Sequence, residues 1–264
     1  MIKDSLEDRF CAPPELPETD SDRQAFSEAR VETFPFEGRH LVGYSLGEGK
    51  NVLLVHGWGS RASHMALLAR TLANANFHVL AFDGPAHGRT RLHDVPDRSN
   101  LFEFCRAISK VGQSLQPLHG VVGHSFGAAA AAFTASGFGK MADVRLSTER
   151  LALVSSPGGV ESMVRHFCRR TGEEKRMSEL VLGLEREFDF SIPGYSVAAS
   201  LAGDPVRVII VHDEQDEEIP VEEAQALKQA LPRAQWVLTR GSGHQRILGS
   251  RAMIRAVKDF LSAP

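Results

Sequence analysis

The sequence predicts an α/β fold in which a mostly parallel sheet carries helices on both faces. Three observations lead there. From Asn51 onward, short apolar runs alternate with stretches of helical periodicity, the pattern of strand–helix–strand units. One run, Leu118 to Val122, passes through Gly123-His124-Ser125-Phe126-Gly127 straight into Ala128 to Ala132, a strand, a tight turn and strong helix formers. Between Pro157 and Gly203 the alternation stops, and no strand pattern is visible.

Taken in order, residues 1–22 are charged, then proline-rich and acidic, and read as a loose arm. A short helix is predicted from Asp22 to Arg30. Val31 to Phe36 and His40 to Leu46 alternate as an antiparallel hairpin closed near Glu37-Gly38. Gly47-Glu48-Gly49-Lys50 lacks the glycine spacing and the following hydroxyl of a phosphate loop, so it reads as a turn. Buried strands follow at Val52–Val55, Phe77–Phe82, Leu118–Val122, Leu151–Val154, Val206–Val211 and Trp236–Leu238. Helices are expected at Arg61–Ala75, Leu101–Leu115, Val221–Leu231 and Ile247–Leu261. In the interval 157–203, two amphipathic helices are expected. One carries Val160, Met163, Val164 and Phe167, the other Leu180, Val181, Leu184 and Phe188. A helical insertion of this length between two strands reads as a lid over the carboxyl edge of the sheet, where ligands bind in such folds.

Composition narrows the function. The 264 residues suit a single domain, with 42% hydrophobic residues to build a core. A net charge of -3 without a long basic run argues against nucleic acid as partner. No stretch approaches eighteen consecutive apolar residues, so no membrane span is expected. The charged amino terminus lacks the apolar core of a signal peptide, and a cytoplasmic location is the expectation. Cys11, Cys105 and Cys168 form neither a disulfide framework nor a metal knuckle.

The chemistry rests on four loops. In the G-x-S-x-G turn, Ser125 stands at the tip of a strained bend, and Gly123 and Gly127 are needed where backbones press together. The amide of Phe126, opening a helix, points at incoming negative charge. His56-Gly57-Trp58-Gly59 leaves the first parallel strand; its glycines let backbone come close, and the Trp58 amide is the candidate for a second oxyanion donor. The Trp58 ring suits a pocket wall, and His56 suits a structural role bonding loop backbone. The loop from Asp213 to Glu218 offers five carboxylates, among which mid-loop Asp216 is favoured over Asp213 as the partner of a histidine. The others read as solvated or capping groups. Gly241-Ser242-Gly243-His244 follows a strand, and His244 is the histidine that comes after both Ser125 and the acidic loop. Ser, Asp, His is the order a nucleophile-elbow fold requires.

With these motifs and the Phe82–Thr90 stretch FDGPAHGRT in hand, the chain resembles the α/β-hydrolase fold superfamily, in its serine-hydrolase, esterase-like branch. The match runs from about Val31 to Leu261. It departs at Ala86, where glycine is usual, and at Asp213, where glycine often precedes the acid loop. The resemblance implies an eight-stranded sheet, a helical cap at 157–203, and hydrolysis of a carboxylic ester or thioester of a small molecule. It implies Ser125, Asp216 and His244 as triad and the Trp58 and Phe126 amides as oxyanion hole, with no metal or organic cofactor. A serine at the elbow argues against dehalogenase and epoxide-hydrolase chemistry, which place aspartate there. Carbon–carbon bond hydrolysis of a diketone-like substrate uses the same triad, and a weakly catalytic ligand-binding protein could keep the same fold.

Overall fold

The computed structural model describes residues 5–92 and 97–264. Eight strands form one sheet: β1 (Arg30–Phe36), β2 (Arg39–Leu46), β3 (Lys50–Val55), β4 (Phe77–Asp83), β5 (Leu118–His124), β6 (Arg150–Val154), β7 (Arg207–Asp213) and β8 (Gln235–Thr239). Their order is β1-β2-β4-β3-β5-β6-β7-β8. Strands β1 and β2 pair antiparallel, β2 pairs antiparallel with β4, and the remaining pairs are parallel. The expected hairpin is therefore present. Glu37 and Gly38 both have positive φ (40° and 79°), as a two-residue hairpin turn matching the strand twist requires.

Alternation along the central strands sends successive side chains to opposite faces. On one face Leu53, Val55, Val121, Leu151, Leu153 and Ile210 pack with helices α4 (Leu101–Gln113) and α5 (Phe126–Ser136). On the other, Val52, Leu54, Val122, Ala152, Val154 and Ile209 meet helices α3 (Ala66–Ala73) and α11 (Arg251–Ser262). Both cores are apolar and closed. Between them the strand order reverses at β3 and β5, and the loops leaving those strands face each other at the carboxyl edge.

Two segments differ from expectation. The interval 157–203 holds α6 (Val160–Thr171) and α7 (Met177–Phe188) as expected, and adds a short α8 (Val197–Leu201). The larger difference is the amino-terminal arm. Its residues 1–4 lie outside the described residues, but the rest is seated rather than loose. Helix α1 (Leu6–Cys11) buries Leu6 and Cys11, and a second helix, α2, spans Asp20–Ala25 with Thr19 as its cap, two residues ahead of the predicted start. Between them the chain is held by arginines from elsewhere. Arg91 donates to the Pro13 carbonyl at 2.8 Å, Arg61 donates to that of Leu16, and Arg89 bonds Glu18 at 3.0 Å. Proline and acid content masked this docking, because the donors lie far away in sequence. The predicted helix 61–75 splits into a 3-10 turn (Ala62–Met65) and α3. The predicted 247–261 segment is preceded by a short helix, α10 (Gly243–Arg246), and opens with a 3-10 turn (Ile247–Gly249) before α11. Helix α9 spans Val221–Ala230.

The β5–α5 turn is packed tightly against backbone. A Cβ added to Gly127 would fall 2.2 Å from the His56 carbonyl oxygen and 2.6 Å from that of Val55. Val55 is paired on both sides within β3 and His56 follows it directly, so neither carbonyl has room to retreat. Gly127→Ala should therefore cost about 3 kcal/mol, at the upper end of overpacking effects, read as a lowered midpoint in chemical denaturation. A loss under 0.5 kcal/mol would contradict this packing.

Candidate active site

Ser125 sits between β5 and α5 with φ 54° and ψ -127°, a conformation that costs a non-glycine residue of order 1–3 kcal/mol. Its amide is fixed to the Val154 carbonyl at 2.9 Å. Gly123 permits the bend, because a Cβ there would come 2.4 Å from the Ala128 Cα. The strain turns the Ser125 side chain out of the sheet and into a pocket.

The structure brings Ser125, His244 and Asp216 into one chain of hydrogen bonds. Nε2 of His244 accepts the Ser125 hydroxyl at 2.9 Å, and Nδ1 donates to Asp216 Oδ2 at 2.8 Å. A carboxylate can only accept, which fixes this tautomer. Asp216 Oδ1 accepts the amides of Glu218 at 3.0 Å and Ile219 at 2.8 Å. Burial works to raise the Asp216 pKa. The His244 hydrogen bond and charge, with the Ile219 amide, outweigh it and hold the carboxyl below its ordinary value.

Asp213, the alternative acid, occupies a different place. Its Oδ2 accepts the Thr239 hydroxyl at 2.8 Å and the Ser242 amide at 3.1 Å; Oδ1 accepts the amides of Gln215 at 3.0 Å and Gly243 at 3.1 Å. Asp213 thus clamps the loop carrying His244 without touching the ring. Burial opposes its ionisation, but these donors lower its pKa.

The Trp58 loop lies against the elbow. A Cβ on Gly57 would stand 3.0 Å from the Ser125 Cβ, and the Trp58 ring packs on Phe126 with centroids 4.9 Å apart. Among the described residues, neither the Trp58 nor the Phe126 amide bonds to an acceptor. Two buried histidines pin this loop. His56 donates from Nδ1 to the Gly57 carbonyl at 2.7 Å and accepts the Gly84 amide on Nε2 at 2.9 Å. His87 donates to the Pro85 carbonyl at 2.7 Å and accepts the Gly59 amide at 2.9 Å. Each needs one donor and one acceptor nitrogen, so each must be neutral. Burial drives the His56 pKa down to about 4 and that of His87 well below its ordinary value.

Sequence reasoning passed over His124. Its Nε2 lies 2.9 Å from the His244 backbone carbonyl, tying the elbow to the histidine loop across 120 residues of chain. Burial, and then the charge of His244, lower its pKa to about 3. Its place beside Ser125 in the pentapeptide was the available signal. Glu218 was also read as a capping or solvated group; it lies at the pocket, with Oε2 3.8 Å from His244 Nε2. Among the described residues no cluster of His, Cys, Asp and Glu could hold a metal ion, and no helix is long and apolar enough to cross a membrane.

Residues 52–256 match the model of the alpha/beta hydrolase family. The chain belongs to that family. Known structures share its fold at low identity. An esterase of Pyrococcus furiosus is 19% identical, with a TM-score of 0.67, 95% of this chain and 96% of the other being covered. A thioesterase domain from the curacin biosynthetic pathway is 19% identical with a TM-score of 0.62, over 88% of this chain and 98% of that domain. A thermophilic esterase of Thermogutta terrifontis is 18% identical with a TM-score of 0.60, over 88% and 98%. No curated protein matches the sequence.

The neutral histidines make stability acid-sensitive. Their folded pKa values lie below the unfolded value near 6.5, so the unfolded chain binds more protons below that pH. Their contribution is complete above pH 6.5 and declines as pH falls toward 4, by about 1.4 kcal/mol per pH unit for each fully neutral group. Denaturation midpoints should fall steadily from pH 6.5 to 4.5, and His124→Gln should flatten the slope. An unchanged slope in the variant would refute the assignment of His124 as a buried neutral group.

Proposed function

We propose that this α/β hydrolase is a carboxylesterase-like serine hydrolase cleaving a small-molecule carboxylic ester or thioester. One observation carries the reading: the Ser125 hydroxyl, the His244 ring and the Asp216 carboxylate stand in continuous hydrogen-bond contact at 2.9 and 2.8 Å. His244 takes the Ser125 proton as Oγ attacks the substrate carbonyl. The Trp58 and Phe126 amides receive the oxyanion. His244, held by Asp216 while it is charged, then passes the proton to the leaving group. Water activated by the same ring releases the acid and restores Ser125. The esterase and thioesterase neighbours fit this reading.

Intact mass after incubation with a fluorophosphonate tests it. One adduct is expected on the wild type and none on Ser125→Ala; no adduct on the wild type would refute an activated serine. On a substrate that the wild type turns over, Asp216→Asn should lower kcat by about three to four orders of magnitude, by analogy with other triads. A loss below tenfold would remove Asp216 from the proposed machinery. A panel of esters, thioesters and diketones separates acyl transfer to water from carbon–carbon cleavage by the same residues.

A further inference from the structure

The pocket over Ser125 has two unlike sides. Beside His244 it is polar: Glu218 Oε2 lies 3.8 Å from His244 Nε2 and 3.7 Å from His166 Nε2, and Gln245 bonds Glu218 at 3.2 Å. The rest of its lining is mostly apolar, built from the α4 start (Leu101, Phe102) and from α6 and α7 (Phe167, Leu184), with Asn100 and Arg170 among the polar exceptions. Helix α1 supplies the rest of that side through Phe10 and Cys11. Phe10 meets Phe167 edge to face, with centroids 5.3 Å apart.

Helix α1 is a fixed wall. Arg98 bonds both Asp8 and Glu187 at 3.0 Å, joining α1 to the end of α7. Arg9 pairs with Glu173 after α6. Gly183 lets α1 lie close on α7, since a Cβ there would overlap the Glu7 carboxylate. Leu6 is buried beneath.

Resting on the hydrolase reading, we propose that the substrate's acyl group is an extended apolar chain whose permitted length is set by Phe10, with Cys11 beside it. The reaction itself assigns the sides. His244 must protonate the leaving group, which places that group toward Glu218 and Gln245, and leaves the apolar side for the acyl chain. Each methylene buried there should raise kcat/KM about fourfold until the chain meets the Phe10 ring.

The test uses two series of p-nitrophenyl and alkyl esters: one leaving group with acyl chains of increasing length, and one acetyl group with alcohols of increasing length. Phe10→Ala should move the acyl optimum of kcat/KM to longer chains, raising the long-to-short ratio by about tenfold or more. Phe10→Trp should move it to shorter chains, an opposite shift that general destabilisation cannot produce. The alcohol series should keep its optimum in both variants. Parallel losses at every acyl length, or a shift confined to the alcohol series, would overturn the assignment of Phe10. No Ser125-dependent hydrolysis of either series by the wild type would overturn the hydrolase reading, and this inference with it.

Discussion

The structure depends on a backbone collision that glycine alone avoids. Where β5 turns into α5, Gly127 lies so near the Val55 and His56 carbonyls that any Cβ would strike them, and Gly123 lies nearly as close to Ala128. That crowding holds Ser125 at φ 54°, a geometry its own residue type disfavours. Strain here is local, and it is sustained by two closed cores on either side of the sheet. The same closeness brings the loop after β3 against Ser125.

The loops of the carboxyl edge are held by hydrogen bonds to neutral histidines and to a buried carboxylate. His56 and His87 each use one nitrogen as donor and one as acceptor to fix the Trp58 loop. His124 reaches the backbone of His244, and Asp213 gathers four donors, from Gln215, Thr239, Ser242 and Gly243. Protonating any of these histidines would turn an acceptor into a donor aimed at an amide or at buried space. Positional accuracy is thereby linked to pH.

Much of this arrangement was legible in the chain, because its signals are local. Parallel strands read as continuous apolar runs, the β5–α5 elbow is spelled out in five residues, and the loops holding Asp216 and His244 directly follow strands. What local patterns could not show was pairing across long separations. The segment before β1 looked loose because its own residues are proline and acid; its partners Arg61, Arg89, Arg91 and Arg98 lie roughly forty to ninety positions away. Position in the chain favoured Asp216 over Asp213, but what Asp213 does shows only in three dimensions: it ends β7 and holds the backbone of the His244 loop, while Asp216 reaches the ring. His124 was hidden for a similar reason: its acceptor is a backbone carbonyl, which leaves no trace in side-chain patterns.

The most direct test of the account is a crystal structure of the protein after reaction with a fluorophosphonate. The account predicts phosphorus bonded to Ser125 Oγ, with one phosphonyl oxygen at about 2.7–3.1 Å from both the Trp58 and Phe126 amides. A phosphonyl oxygen turned away from both amides, or an adduct on any other side chain, would contradict it.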